Sequence, residues 1–264
     1  MSQAIYGEKF YQEQEQGSLQ SAKEILPLIL QMMPCNSVVD VGCGVGNWLI
    51  ACAELGISDL IGVDGDYVDT KLLKITEQQF VRHDLTKPLK LNRPFDLVIS
   101  VEVAEHLTED HADTFIDSLT ELGSVILFSA AIPHQGGTYH VNEQWPAYWI
   151  EKFDRRGYRL VDCIRAKVWT NEKVEWWYAQ NMFLFVRHDV LQGNSELEEA
   201  SKISSAGLSL VHPRPYLNLG AQCAHIANPE NRPVRVALHE LIASAKYATR
   251  RRLRLIKKSQ ASTS

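Results

Sequence analysis

From Ser37 onward the chain alternates short, nearly unbroken apolar runs with longer stretches in which apolar residues recur every three or four positions. The runs SVVDVG and LIGVDG predict two buried strands, with a helix over 47–55 between them. A helix over 66–74 is expected next, then a third strand at 79–82, a fourth at FDLVIS and a fifth at SVILFSAA. The last two flank a helix over about 109–121. Pro146, near a first turn where its missing N–H costs least, opens a helix over 146–156. YRLVDCI and NMFLFVR add two more strands. Strand and helix in alternation predict an α/β fold, a parallel sheet with helices on both faces.

Outside that pattern, residues 191–231 are mixed and carry no clear period. The last segment, VALHELIASAKYATRRRLRLIKK, has helical spacing at Val236, Leu238, Leu241, Ile242, Ala245 and Tyr247 and ends in a basic cluster. That cluster reads first as a solvated helix end that suits the macrodipole, and otherwise as an RNA or anionic-lipid contact or a partner interface. Three regions follow: 1–36 as an N-terminal helical cap, 37–190 as the principal domain, and 191–264 as an extension ending in a basic helix.

Composition narrows the class. The chain has 264 residues, and its 45% hydrophobic content excludes a mainly disordered protein. A formal net charge of −5 makes nucleic acid an unlikely general partner. No uncharged apolar run approaches the ~20 residues needed to span a bilayer. The start, MSQAIYGEKFYQEQEQGS, is polar and acidic and is no secretory signal. Five cysteines without a CxxC pair read as reduced thiols in a cytoplasmic protein.

The most informative stretch is Asp40-Val-Gly-Cys-Gly-Val-Gly46, between a predicted strand and a predicted helix. Alternate glycines let the backbone turn tightly and let a ligand press on the main chain. Asp64 closes the second strand, where a carboxylate can accept two hydrogen bonds from a ribose diol, and Asp84 follows the third, where it can receive an adenine amino group. Three successive strand ends thus surround one crevice. A nicotinamide-dinucleotide fingerprint would need a third glycine at position 47, where Asn47 stands, and Asp40 suits a cationic ligand better than a pyrophosphate.

The set D-x-G-x-G-x-G, the acidic second-strand end and HDL resembles class I S-adenosylmethionine-dependent methyltransferases over residues 37–187. That resemblance implies a doubly wound, seven-stranded mixed but mostly parallel sheet of Rossmann-like methyltransferase type, with a C-terminal helical extension. It implies S-adenosylmethionine as cofactor, with Gly42, Gly44 and Gly46 lining its methionine end, Asp40 near the methionine, Asp64 on the ribose and Asp84 on the adenine. Leu85 flanks the adenine or belongs to the core; Trp48 packs inward. The leading segment resembles the helix that caps the cofactor in such enzymes, with Tyr6 and Tyr11 closing over the ligand or simply packing.

On the acceptor side, Glu102, Glu105 and His106 fall at i, i+3 and i+4, one helical face beside the crevice. Two carboxylates converging there need a counter-ion, which a divalent metal would supply. The loop PHQGGTYHVNEQW brings His134 and His140 to the same mouth. E-x-x-E-H with a later His resembles the metal set of small-RNA 3′-terminal 2′-O-methyltransferases, which implies Glu102, Glu105, His106 and His140 as ligands, with His134 in reserve. Carboxylate-rich ligation favours Mg or Mn; two imidazoles pull toward Mn, Fe or Zn. The same segment also occurs in metal-free class I enzymes, where the His touches substrate or acts as base, so His106 and Glu105 are the catalytic candidates either way.

SAAIPHQGGTYHVNEQWPAYW further resembles methyltransferases of bacterial surface-polysaccharide and glycan biosynthesis. It implies O-methylation of a sugar, glycan or small polyol, with Tyr139, Trp145, Tyr148 and Trp149 on a sugar face or in the core. Trp176, Trp177 and Tyr178 cap the pocket or cover the sheet edge. The rival readings are an RNA 3′-terminal 2′-O-methyltransferase and a non-catalytic, cofactor-binding subunit of a glycan-assembly complex. A homo-oligomer or partner contact through the C-terminal helix accompanies any of them.

Overall fold

The structure, a computed structural model, describes residues 8–202, 207–228, 231 and 234–261. Tyr6 and the side chain of Tyr11 lie outside what is described. Seven strands, β1 (Ser37–Val41), β2 (Asp59–Asp64), β3 (Phe80–Arg82), β4 (Leu97–Val101), β5 (Val125–Ser129), β6 (Tyr158–Val161) and β7 (Phe183–Arg187), form one sheet in the order β3-β2-β1-β4-β5-β7-β6. The first five pair in parallel; β7 enters antiparallel between β5 and β6. The order reverses between β1 and β4, so the crevice for a ligand opens at the carboxyl ends of those strands. The apolar runs predict its parallel α/β core, and the family resemblance implies the mixed seven-stranded sheet.

The central strands β4 and β5 are buried at every residue because helices cover both faces. On one face lie α1 (Glu8–Leu30), through Ala22, Ile25, Leu26 and Ile29, and α2 (Asn47–Glu54). On the other lie α3 (Glu109–Leu122), which turns Ala112, Phe115, Ile116, Leu119 and Leu122 inward at helical spacing, and α4 (Pro146–Asp154). Glu109 and Asp110 in the first turn of α3 suit the positive end of its dipole, and Pro146 starts α4 as expected.

Four expectations change. Residues 66–74 form no α-helix: Val68, Asp69 and Thr70 are poor helix formers, and the Asp69 carboxylate accepts the Lys71 N–H to close only a 3-10 turn, Thr70–Leu72. NMFLFVR is a strand only from Phe183, because Asn181 ends a short helix, α6 (Trp176–Asn181), that follows another, α5 (Arg165–Val168). The period-free stretch after 187 holds α7 (His188–Gln192) and α8 (Ser195–Ser201), whose Leu191 and Leu197 are buried in the core beneath the sheet. The boundary therefore falls at His212 and not at 190, and the N-terminal helix belongs to the same body as the sheet. Beyond it, α9 (Pro213–Ala227) and α10 (Val234–Ala261) make up a second unit. No helix among the described residues is long and apolar enough to cross a membrane.

Phe153 on α4 is fully buried, stacked on Phe185 of β7 at 3.9 Å and edge-on to Phe128 of β5 at 5.3 Å. Phe153→Ala should therefore cost about 3–5 kcal/mol in urea unfolding, and an unshifted midpoint would show that this aromatic stack is not part of the core.

Candidate active site

β1, β2 and β4 deliver their carboxyl ends to a cavity of about 870 Å³, within the range of small-molecule sites. The β1–α2 turn can exist only as glycine in two places. At Gly42 φ is +87° and an added Cβ would lie 2.3 Å from Val103 Cγ2; at Gly46, which caps α2, φ is +94°. Asp40, Gly42, Gly44, Asp64 and Asp84 all line the cavity, whereas Gly46 shapes the turn behind it.

The three acids differ in how their demand for donors is met. Asp64 accepts the Gly44 and Gly65 N–H groups, both at 2.7 Å, and the Tyr67 hydroxyl. Burial raises its pKa, and those hydrogen bonds pull the other way. Asp40 is buried beside it with Oδ2 unpartnered, and burial followed by the Asp64 charge pushes its carboxyl well above the usual carboxylate range. Asp84 is exposed; the Thr86 hydroxyl donates to it at 2.7 Å, and Thr86 and Lys87 hold its pKa at about 2. Leu85 lines the cavity and also joins the core, and Trp48 meets Tyr178 edge-on at 5.4 Å on the cavity wall.

Glu102 leaves β4 in the left-handed region (φ +54°) and Ala104–His106 is a 3-10 turn, so Glu102, Glu105 and His106 do not share an α-helical face. The turn nevertheless gathers a cluster. Among the described residues, Glu105, His106 and His140 each bring one ligand atom to within 4.8 Å of the others. The Glu105 carboxylate is fully buried with neither oxygen hydrogen-bonded, and burial and then the Glu102 charge raise its pKa well above normal. The His106 ring meets the His140 ring edge-on at 4.9 Å, and burial, then His140, lowers its pKa to about 4. His106 is thus a neutral imidazole at pH 7, and its Nδ1 is buried without a hydrogen bond. A buried carboxylate and two rings with unmet capacity fit a divalent ion in donor type.

Glu102 stands outside that triad. Asn181 Nδ2 donates to its Oε1 and Gln135 Nε2 to its Oε2, both at 3.1 Å. Gln135 Oε1 accepts in turn from Gln180 Nε2 at 3.0 Å and Asn181 Nδ2 at 2.9 Å. His134 is exposed and does not line the cavity. The loop that carries His140 is organised by Glu143, whose carboxylate accepts the His134 N–H at 2.7 Å, the Gly136 N–H at 3.0 Å and pairs with His140 Nδ1 at 3.0 Å. That leaves His140 Nε2 for the cavity.

Glu143, Gln135, Asn181 and Tyr67 are the residues that sequence reasoning passes over. Amides and a loop glutamate carry no periodic signal, although Glu143 stands inside the very stretch that singles out His140. Trp149 is core, packed on Phe128 at 5.4 Å; Trp145 and Tyr139 are exposed; Trp176, Trp177 and Tyr178 line the cavity from α6. Cys43 lines it too, but burial pushes its thiol up, so it offers no nucleophile.

Burial keeps Asp40 protonated at pH values where the unfolded chain has lost the proton, so ligand-free stability falls as pH rises above the ordinary carboxylate range. Asp40→Asn should flatten that fall, read as urea midpoints at about pH 4.5 and 7.5. An unchanged slope would mean that Asp40 is not desolvated.

The methyltransferase-domain family matches this chain over residues 11–183. The ribosomal protein L11 methyltransferases of Thermotoga petrophila and Thermotoga maritima are each 30% identical to it over 107 residues. Those matches cover 37% of this chain and 38% of either relative, so the chain spans well under half the length of the curated relatives it matches. Among solved structures, DesVI of Streptomyces venezuelae superposes with a TM-score of 0.52 at 14% identity, over 71% of this chain and 99% of that one. The sugar N-methyltransferase KedS8 of Streptoalloteichus sp ATCC 53650 gives 0.53 at 14% identity, over 68% and 91%. At such identities the likeness shows the fold; with the family match spanning most of the chain, the glycine turn and its acids have their explanation: the chain belongs to the methyltransferase-domain family.

Proposed function

We propose that this methyltransferase transfers the methyl group of S-adenosylmethionine to a hydroxyl of a sugar, glycan or other small polyol, with a divalent ion, Mg or Mn, at Glu105, His106 and His140. The observation that carries the reading is the pairing of two half-sites in one cavity. The glycine turn with Asp40 and Asp64 suits a cationic amino acid and a ribose; His106 and His140 line the same cavity, and the buried, unpartnered Glu105 carboxylate lies against them, each of the three bringing a ligand atom to within 4.8 Å of the others. A bound ion would lower the pKa of a coordinated hydroxyl and steady the oxygen that accepts the methyl.

The chain's own residues do the rest. Asp40, buried with Oδ2 unpartnered, gives up the proton that burial holds on it when an ammonium arrives; Asp64, already preoriented by Gly44, Gly65 and Tyr67, presents its oxygens to the sugar. Asn181 and Gln135 hold Glu102 as a fixed carboxylate beside Glu105, which places it to receive a second acceptor hydroxyl. Glu143 fixes the ring of His140. With a pKa held near 4, His106 has little drive to take a hydroxyl proton unaided, which supports the ligand role over that of a lone base. Direct transfer to a positioned oxygen asks for no enzyme nucleophile.

Calorimetry with S-adenosylhomocysteine should show binding that Asp64→Ala weakens at least tenfold; folded protein that binds nothing overturns the cofactor assignment. A methylation screen over nucleotide sugars, glycan ends, phenols, amines and short RNAs, with and without added Mn, should favour sugar hydroxyls. In it, Glu105→Gln and chelation should each cut turnover about 10²-fold or more while leaving donor binding intact. Turnover that survives both removes the ion, and methylation of amines or RNA alone removes the acceptor class.

A further inference from the structure

We propose that α10 is an interfacial helix that lays one apolar stripe on an anionic lipid surface. Val234, Leu238, Leu241 and Ile242 recur at i, i+4, i+7 and i+8, so they share one face, and all four are exposed, by 84%, 55%, 66% and 45%. Ala245 and Ile256 fall in the same register, with Thr249 and Arg252 between them, so the unbroken apolar stripe runs from Val234 to Ala245. Lys246, Arg250, Arg254 and Lys257 occupy register positions on the other side of the helix. From Leu241 to Ser264 the sequence contains no Asp or Glu.

Charge separates the two units. Residues 213–264 hold ten Lys and Arg against two Glu, a formal +8; with the whole chain at −5, residues 1–212 carry −13. A strongly acidic body with a basic, amphipathic end is the charge distribution of a protein whose end alone engages an anionic surface. RNA would take up the cations but leave the apolar stripe in water. A second copy of α10 would cover the stripe but set like-charged clusters against one another, or against Arg235 and His239 in the antiparallel sense. A lipid surface satisfies both halves of the helix. The helix lies on it and does not span it, since it is not apolar enough to cross. This surface is independent of the methyl-transfer chemistry proposed above.

Flotation of the full chain with vesicles tests this, with no donor or acceptor present. Vesicles of phosphatidylcholine with about one-third phosphatidylglycerol should capture at least tenfold more protein than phosphatidylcholine alone at ~0.1 M salt, and much less at ~0.5 M. Leu241→Glu with Ile242→Glu should abolish capture, and Arg250→Gln with Arg251→Gln and Arg254→Gln should reduce it about tenfold, each with an unchanged circular-dichroism spectrum and unfolding midpoint. Equal capture by neutral vesicles, capture by neither, or capture that survives the Glu variants overturns the proposal. Retention of a short RNA with vesicles ignored assigns the cluster to nucleic acid and overturns it, as does salt-sensitive dimerisation with vesicles ignored.

Discussion

Two carboxylates buried side by side at neighbouring strand ends set the terms for the rest of this molecule. A parallel sheet brings the ends of β1 and β2 together, and Asp40 and Asp64 fall there with no cation between them among the described residues. Desolvated like charges are costly unless donors or a counter-charge answer them. The chain answers for one acid only. Two backbone N–H groups and a hydroxyl converge on Asp64, while Asp40 keeps an oxygen bare. The imbalance leaves Asp40 as the acid that a positively charged group would answer.

The same division recurs across the cavity. Glu102 receives two amide donors and Glu105 none, so burial raises the pKa of both acids but only Glu102 has donors pulling it back. The two acid centres are mechanically joined. Val103, the residue after Glu102, fills the space beside Gly42 so closely that a side chain at 42 would drive into it. The glycine turn therefore does two jobs. It leaves main chain exposed to the cavity, and it lets the β4 exit, with its left-handed Glu102, settle against the turn. Under the methyl transfer proposed above, donor and acceptor held on such adjoining elements would start near attack geometry.

What could be read from the residues followed from their periodicity. Buried strands announce themselves as apolar runs, so the central strands, the glycine turn and the acids at strand ends were legible. The misjudged parts share a physical cause, for they depend on partners distant in sequence. Residues 66–74 stop after the one 3-10 turn that Asp69 caps, because Leu73 turns extended and the Lys74 N–H donates to the distant Val45 carbonyl at 2.8 Å. Asn181 and Gln135 gain meaning only because β7 enters beside β5 and brings the end of α6 over Glu102. Glu143 does so because a loop with left-handed residues at His134 and Tyr139 folds back on it. The boundary at His212 was hidden because Val190, Leu191, Leu197 and Ala200 are few apolar positions in a polar stretch, too sparse to show a period.

That boundary is tied to the active site by more than proximity in the chain. The His212 N–H donates to Gln180 Oε1 at 2.8 Å, and Gln180 is the far member of the amide cluster that grips Glu102. Buried Arg165, paired with Asp162, also donates to the Gly207 and Leu208 carbonyls at 3.0 Å and to the Gln180 carbonyl at 3.3 Å. A buried guanidinium is tolerable only when its donors are met, and here the segment leading out of the first unit meets them. Residues 207–212 are thus part of the scaffold behind Glu102, so loosening them would release Gln180 first and the Gln135–Asn181 clamp after it. The last residues of the first unit help set the position of a carboxylate that the sequence places more than a hundred residues upstream.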